Sequence, residues 1–355
     1  MGPTGAGKST FIEALAGPNS KMEKISSGRL EGYTQDITCY EVLNFKRHND
    51  YTMYIIDSPG FADTKISEFE IVSKIQRWIK DNDGDSIDRI LYLHPITSTR
   101  LPRSQKSVLK TFRALTGQDS SDNITIATTM WDSVFGETGH ERARSNFEAL
   151  RTQVWKDLLD RGAQLAKFHN TQASAMKILD LTSCEGNLEW FQFENQEGER
   201  SDVRRKPFGI NLYSDLVDRI EGLQSRETTL ISELEEIAAN EEELRSILES
   251  DLQEVHNLLD RFQRDLQALG PPPPHIMAQL PTIATIPGNR KQPKGHGPEV
   301  LALSSKPVPG EPGPAASSSQ SHSHLISLRS RGLYNIWYST KKRAKRVFHY
   351  TGESK

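Results

Sequence analysis

Cysteine is almost missing: only Cys39 and Cys184 occur. That excludes a disulfide framework and a cysteine-rich metal site, and it suits a reducing compartment. Charge of one sign is missing too, since 44 Lys and Arg face 47 Asp and Glu for a formal net charge of −3. Such a balance exerts no overall pull toward nucleic acid or membrane, so no specific nucleic-acid readout is expected. Long apolar runs are absent, and nothing approaches the roughly 20 residues of a membrane-spanning helix. These absences predict a cytoplasmic protein, with any membrane association confined to a surface.

Glycines recur at close spacing at the start of the chain. Gly2-Pro3-Thr4-Gly5-Ala6-Gly7-Lys8-Ser9-Thr10 has the spacing G-x-x-x-x-G-K-[ST], and Phe11 to Ala16 continues it as a helix. Glycines there let the backbone curl round a phosphate chain with its N–H groups turned inward, and the helix adds the positive end of its dipole. Lys8 is expected to reach the terminal phosphates as the catalytic cation, and Ser9 to offer its hydroxyl to Mg²⁺. Gly2, Thr4, Gly5, Ala6, Gly7 and Thr10 complete the cradle.

Downstream, residues 1–182 alternate short apolar strands with amphipathic helices. Strands read at 53–56, 90–93 and 124–127, and 38–45 pairs with 51–56 as a hairpin. Helices read at 67–80, 103–115 and 139–161. This alternation predicts an α/β domain with a mostly parallel sheet covered on both faces.

Two further motifs fall where such a domain needs them. Tyr54-Ile55-Ile56-Asp57-Ser58-Pro59-Gly60 ends an apolar strand on a carboxylate. Asp57 can hold Mg²⁺ through water, and Gly60 can place its N–H on a γ-phosphate. Thr128-Thr129-Met130-Trp131-Asp132 follows the 124–127 strand. Asp132 can accept hydrogen bonds from guanine N1 and N2, which adenine does not offer. Thr129 takes the place of an asparagine, and Met130 that of a lysine, keeping an aliphatic stack but not the charge. Ser174 is a weak candidate for a last base-side loop. The third Mg²⁺ ligand, from the segment between 20 and 40, is Thr38, with Thr34 as the alternative. No glutamine follows Gly60 to orient water, and Phe61 is apolar.

The remainder changes texture. Over 209–269, apolar residues recur at steps of three and four, from Ile220 and Leu223 to Leu266 and Leu269, with a stutter between Leu248 and Leu252. Two readings fit: a dimerising coiled coil, or a helical hairpin folded back on the first domain. Residues 270–323 are rich in Pro, Gly and Ser and read as a disordered linker. Residues 324–355 mix Arg329, Arg331, Lys341, Lys342, Arg343, Lys345 and Arg346 with aromatics. That tail suits an anionic membrane surface or another acidic partner.

On the strings GPTGAGKST, DSPGFADT and TTMWD, the chain resembles the septin-like and immunity-associated branch of P-loop GTPases. It is most similar to fungal G-domain proteins in which a coiled coil follows. The resemblance covers residues 1–182 and implies a Ras-like G domain, GTP or GDP with Mg²⁺, and self-association through the G domain or coiled coil. It leaves open a GTPase switch, an inactive scaffold or an ATPase. Members carry an apolar strand ending just before the P-loop, so a sheet lacking its first strand is expected here. A chain beginning at Met1 is expected to be marginally stable for that reason.

Overall fold

The computed structural model describes residues 1–17, 34–43, 53–82, 86–97, 103–182, 190–194, 202–237, 241–272 and 346–349. The linker and tail expectations therefore fall almost wholly outside the described residues, as does the segment 18–33.

The P-loop runs into α1 (Lys8–Ala16), followed by an antiparallel pair, β1 (Thr38–Leu43) and β2 (Met53–Asp57). Then come α2 (Glu68–Asp81), β3 (Ile90–Pro95), α3 (Arg103–Thr116) and β4 (Ile124–Thr129). β3 and β4 are parallel, with Ile90 opposite Ile124 and Pro95 opposite Thr129. α4 (Gly136–Ala149) continues through a π-helical turn, Leu150–Val154, into the short α5 (Lys156–Leu159). β5 (Gln164–Lys167) adds parallel to β4, and α6 (Gln172–Thr182) packs back on α1. After α7 (Gly209–Glu236) and α8 (Glu242–Leu269), β6 (Arg346–His349) lies parallel to β1.

The strands form two three-stranded sheets, ordered β2-β1-β6 and β3-β4-β5. Among the described residues no strand precedes the P-loop, and Met1 to Thr4 is held through the main chain by β3 and by Phe61, beyond the end of β2. On one side the Met1 amino group donates to Leu91 O at 2.7 Å, and Leu93 N donates to Met1 O at 3.0 Å. On the other, Phe61 N donates to Gly2 O at 3.1 Å and Thr4 N to Phe61 O at 2.8 Å. The P-loop is therefore bonded both to β3 and to the segment after β2 before it curls.

Two apolar clusters sandwich the sheets. One joins Phe11, Ile12 and Leu15 of α1 to Tyr40, Val42, Leu93, Phe168 and Ile178. The other gathers Ile71 and Ile75 of α2, Tyr92, Phe112 and Trp155, and extends into Leu216, Ile220 and Phe262 of the two long helices. Tyr92, Phe112 and Trp155 pack ring to ring, with centroids 4.5–6.0 Å apart.

The 209–269 stretch is not one continuous helix. α7 ends at Glu236 and α8 restarts at Glu242. Contacts pair Arg219 with Phe262 and Arg226 with Asp251, so the two helices run antiparallel. Much of the apolar stripe is buried within the chain, against α2 and α3 as well as between the two helices, while Leu244 stays exposed. Of the two readings, the folded-back hairpin is the one realised. Its polar seam includes Arg261 with both carboxylate oxygens of Glu70, at 2.8 and 2.9 Å.

Candidate functional site

The P-loop has the backbone its glycines require. Gly5 and Gly7 sit at φ 76° and 85°, a region costly for residues with a Cβ. Gly7 is the N-cap of α1 and no side chain caps that end; the first turn holds no acidic residue. The helix therefore presents N–H groups and its dipole to the loop interior with no built-in anion, a composition suited to phosphate.

Lys8 folds over this loop. Its Nζ donates to Pro3 O at 3.0 Å and Gly2 O at 3.4 Å. Burial pushes the ammonium down to about 8, against the opposing pull of Asp57 and Asp63. A cation held among carbonyls and short of negative charge is matched to an anionic ligand.

Three oxygens converge just behind. Ser9 Oγ donates to Asp57 Oδ2 at 2.9 Å, and Thr34 Oγ1 lies 3.2 Å from Ser9 Oγ and 3.5 Å from Asp57 Oδ2. Hard hydroxyl and carboxylate oxygens beside a phosphate cradle are the donor set that Mg²⁺ accepts, completed by water and phosphate. The residues present thus fit the ion. Of the two candidate threonines, the one brought here is Thr34, the alternative reading, and not Thr38. Thr38 is the first residue of β1, opposite Asp57 in the antiparallel ladder. The strand starts four residues after Thr34, which leaves Thr34 on the loop that reaches Ser9.

Gly60 presses on the P-loop. A Cβ there would stand 2.5 Å from Thr4 Cα, N and Oγ1. Only glycine lets the segment after β2 approach this closely. Next in the chain, Phe61 is buried at 1 % exposure and its N–H and C=O are bonded to Gly2 and Thr4. Phe61 is thus a structural residue and does not orient water. Thr4 also donates from Oγ1 to Asp63 Oδ2 at 3.1 Å, a contact that motif spacing does not announce.

On the base side, Thr129 is buried and donates to Ala6 O at 3.0 Å. Its hydroxyl proton is committed to tying the 128–132 turn to the P-loop. Met130 adopts φ 62°, and its sulfur accepts from Thr97 Oγ1 at 3.6 Å. Trp131 anchors the turn through Nε1 to Thr128 Oγ1 at 3.0 Å, with Lys167 Nζ 4.6 Å from its ring centroid. Asp132 is exposed, and its Oδ2 accepts from Asn170 Nδ2 at 2.9 Å. Asn170, at φ 54°, is the residue that meets Asp132 from the last loop. Ser174 instead accepts from His169 N and Thr171 N at 3.2 and 3.3 Å, closing the turn that opens α6. Thr10 is half-buried on α1, one residue beyond the oxygen cluster.

Residues 1–126 match the family described as "50S ribosome-binding GTPase". The fold is that of a P-loop GTPase G domain. The match takes in the P-loop, Asp57 and Gly60 and ends before the 128–132 turn. No curated protein matches the chain. Among solved structures, it is similar to Toc33 from Arabidopsis thaliana in complex with GDP and Mg²⁺, at 16 % identity and TM-score 0.38, covering 54 % of this chain and 84 % of that one. A dimerization-deficient mutant of the same Arabidopsis Toc33 gives 15 % identity and TM-score 0.37, with 51 % and 80 % coverage.

Proposed function

We propose that this G domain binds guanine nucleotide with Mg²⁺ and works as a slow GTPase switch. The observation that carries the reading is the convergence of Ser9, Thr34 and Asp57 oxygens directly behind an uncapped helix start. Phosphates would lie along the Gly2–Gly7 backbone, with Lys8 leaving Pro3 O and Gly2 O for the terminal phosphate. Ser9, Thr34 and Asp57 would hold the ion, whose charge, when bound, neutralises that developing on the transferring phosphoryl group. Gly60 N–H would be the donor that follows the γ-phosphate. Asp132, steadied by Asn170, would accept from the guanine edge.

Hydrolysis is expected to be slow, because Phe61 is locked in the core where a water-orienting side chain would stand. The same feature supports a second reading, a nucleotide-bound scaffold without turnover. Self-association through the G domain, and an anionic surface met by the basic tail, belong to this proposal and rest on sequence character alone.

Equilibrium displacement of a fluorescent GDP from the purified chain tests the first reading. Displacement by GTP and GDP but not ATP is expected, with loss of binding when Mg²⁺ is chelated. Displacement by ATP at equal concentration overturns the guanine assignment. Binding without phosphate release selects the scaffold reading.

A further inference from the structure

The hairpin closes over the segment that follows Gly60 through one buried charge cluster. Arg219 of α7 donates from Nη1 to Asp63 O at 2.6 Å, from Nη2 to Glu68 Oε2 at 2.9 Å, and from Nε to Asp215 Oδ2 at 2.9 Å. Glu68 Oε1 accepts from Ala62 N at 2.9 Å, and Glu68 N donates to Asp215 Oδ2 at 3.3 Å. The side chains are enclosed, at 4 % exposure for Glu68, 15 % for Arg219 and 17 % for Asp215.

One guanidinium thus faces two enclosed carboxyl groups, with the Glu68 main-chain N–H holding Asp215 beside Glu68. Two enclosed carboxylates against one guanidinium leave a negative charge uncompensated in a poorly solvated place, and a proton bound by the pair removes it. Other groups facing the cluster do not remove this need. From the preceding loop come Asp63, bound to Thr4, and Lys65, paired with Glu254 of α8 at 3.2 Å. From α2 comes Glu70, already taken by Arg261 of α8 and by Lys74. Asp265 of α8 accepts from Ser67 Oγ at 2.7 Å.

We propose that the α7–α8 hairpin is a proton-dependent clamp on the segment after Gly60, with Glu68 and Asp215 sharing the proton that docking requires. Deprotonation leaves two carboxylates against one guanidinium and loosens the α7–α2 contact. Through Asp63 and Thr4 the same loosening reaches the P-loop. The link to nucleotide rests on the proposed function; the clamp itself does not.

The proton sits on Asp215. Its burial and its contact with Glu68 push it up to about 8. Burial pushes Glu68 up as well, but its hydrogen bond with Asp215, Arg219 and the Ala62 N–H together hold it below the usual carboxylate range. Undocking exposes Asp215 and returns it to an ordinary value. The docked state therefore binds more protons between about pH 4 and 8, and the docking constant falls by as much as about tenfold per pH unit across that window.

The test is a distance between spin labels at the exposed positions Arg77 on α2 and Gln253 on α8, in the full chain with Cys39 and Cys184 replaced by serine and no nucleotide present. The wild-type distribution is expected to shift from one short distance at pH 6 to a broader, longer one at pH 9. Asp215→Asn, whose amide oxygen can still accept from Arg219 and which carries no titrating proton, is expected to hold the short distance throughout. Glu68→Gln serves as a second variant should the first fail to fold. A wild-type distance that does not change, or a variant that opens with pH as the wild type does, overturns the clamp. GDP binding in the same samples reports separately on the proposed function.

Discussion

Asn170 Nδ2 donates to Asp132 Oδ2 at 2.9 Å, joining two loops 38 residues apart in the chain. The bond fixes where the Asp132 carboxylate points. Asn170→Ala is expected to weaken GDP binding about fivefold, roughly 1 kcal/mol for one hydrogen bond to a carboxylate at an exposed site. Calorimetric titration of both proteins checks it. Unchanged affinity would mean Asp132 needs no steadying.

Gly60→Ala should act through collision with Thr4. A Cβ 2.5 Å from three Thr4 atoms cannot be absorbed without separating the two segments. Overpacking of this kind costs on the order of 1–3 kcal/mol. The variant is expected to stay folded by circular dichroism while losing triphosphate affinity more than diphosphate affinity. Equal losses for both would place Gly60 outside γ-phosphate sensing.

The state of Lys8 makes binding pH-dependent. The free ammonium titrates near 8, and a bound polyphosphate raises that value by supplying negative charge. Affinity is therefore fully present below about pH 8 and lost as pH rises through the bound value, with proton uptake on binding in that interval. Titration calorimetry at about pH 8.5 in buffers of different ionisation enthalpy reads this uptake. No uptake would show that Lys8 is charged in the free site.

Arg219→Ala should destabilise the domain strongly. It leaves Glu68 and Asp215 enclosed without a cation and removes the bond to Asp63 O. Breaking such a pair costs about 3–5 kcal/mol, and a fall in thermal midpoint of roughly 10 °C is expected. A fall of only a degree or two would mark the cluster as a solvated ion pair.

Much of this site was legible in the sequence because its parts are short-range. Ser9 and Asp57 meet since a glycine loop and a strand end obey fixed spacings, and α2 and α3 follow from apolar periodicity. Thr34 and Thr38 differ only in where β1 starts, which depends on its pairing with β2 rather than on local pattern. Asn170 is hard to single out because its role is set by a loop 38 residues away, although an asparagine just before α6 in a Thr–Ser capping run is a usable signal. Thr129 reads as a base-contacting residue until the P-loop carbonyl of Ala6 stands beside it. The apolar steps of three and four read as one long helix, and only packing against α2 chooses between one helix and two.

Equilibrium binding of fluorescent GDP to the wild type and to Lys8→Ala, each with Mg²⁺ and with chelator, shows most plainly whether the Lys8 cradle and the Ser9–Thr34–Asp57 oxygens form one Mg²⁺–guanine nucleotide site. Mg²⁺-dependent binding by the wild type is expected, displaced by GTP and not by ATP. A still-folded Lys8→Ala is expected to lose at least about a hundredfold in affinity, because the buried cation facing the phosphates is removed. Equal affinity in the two proteins, or binding indifferent to Mg²⁺, is incompatible with such a site.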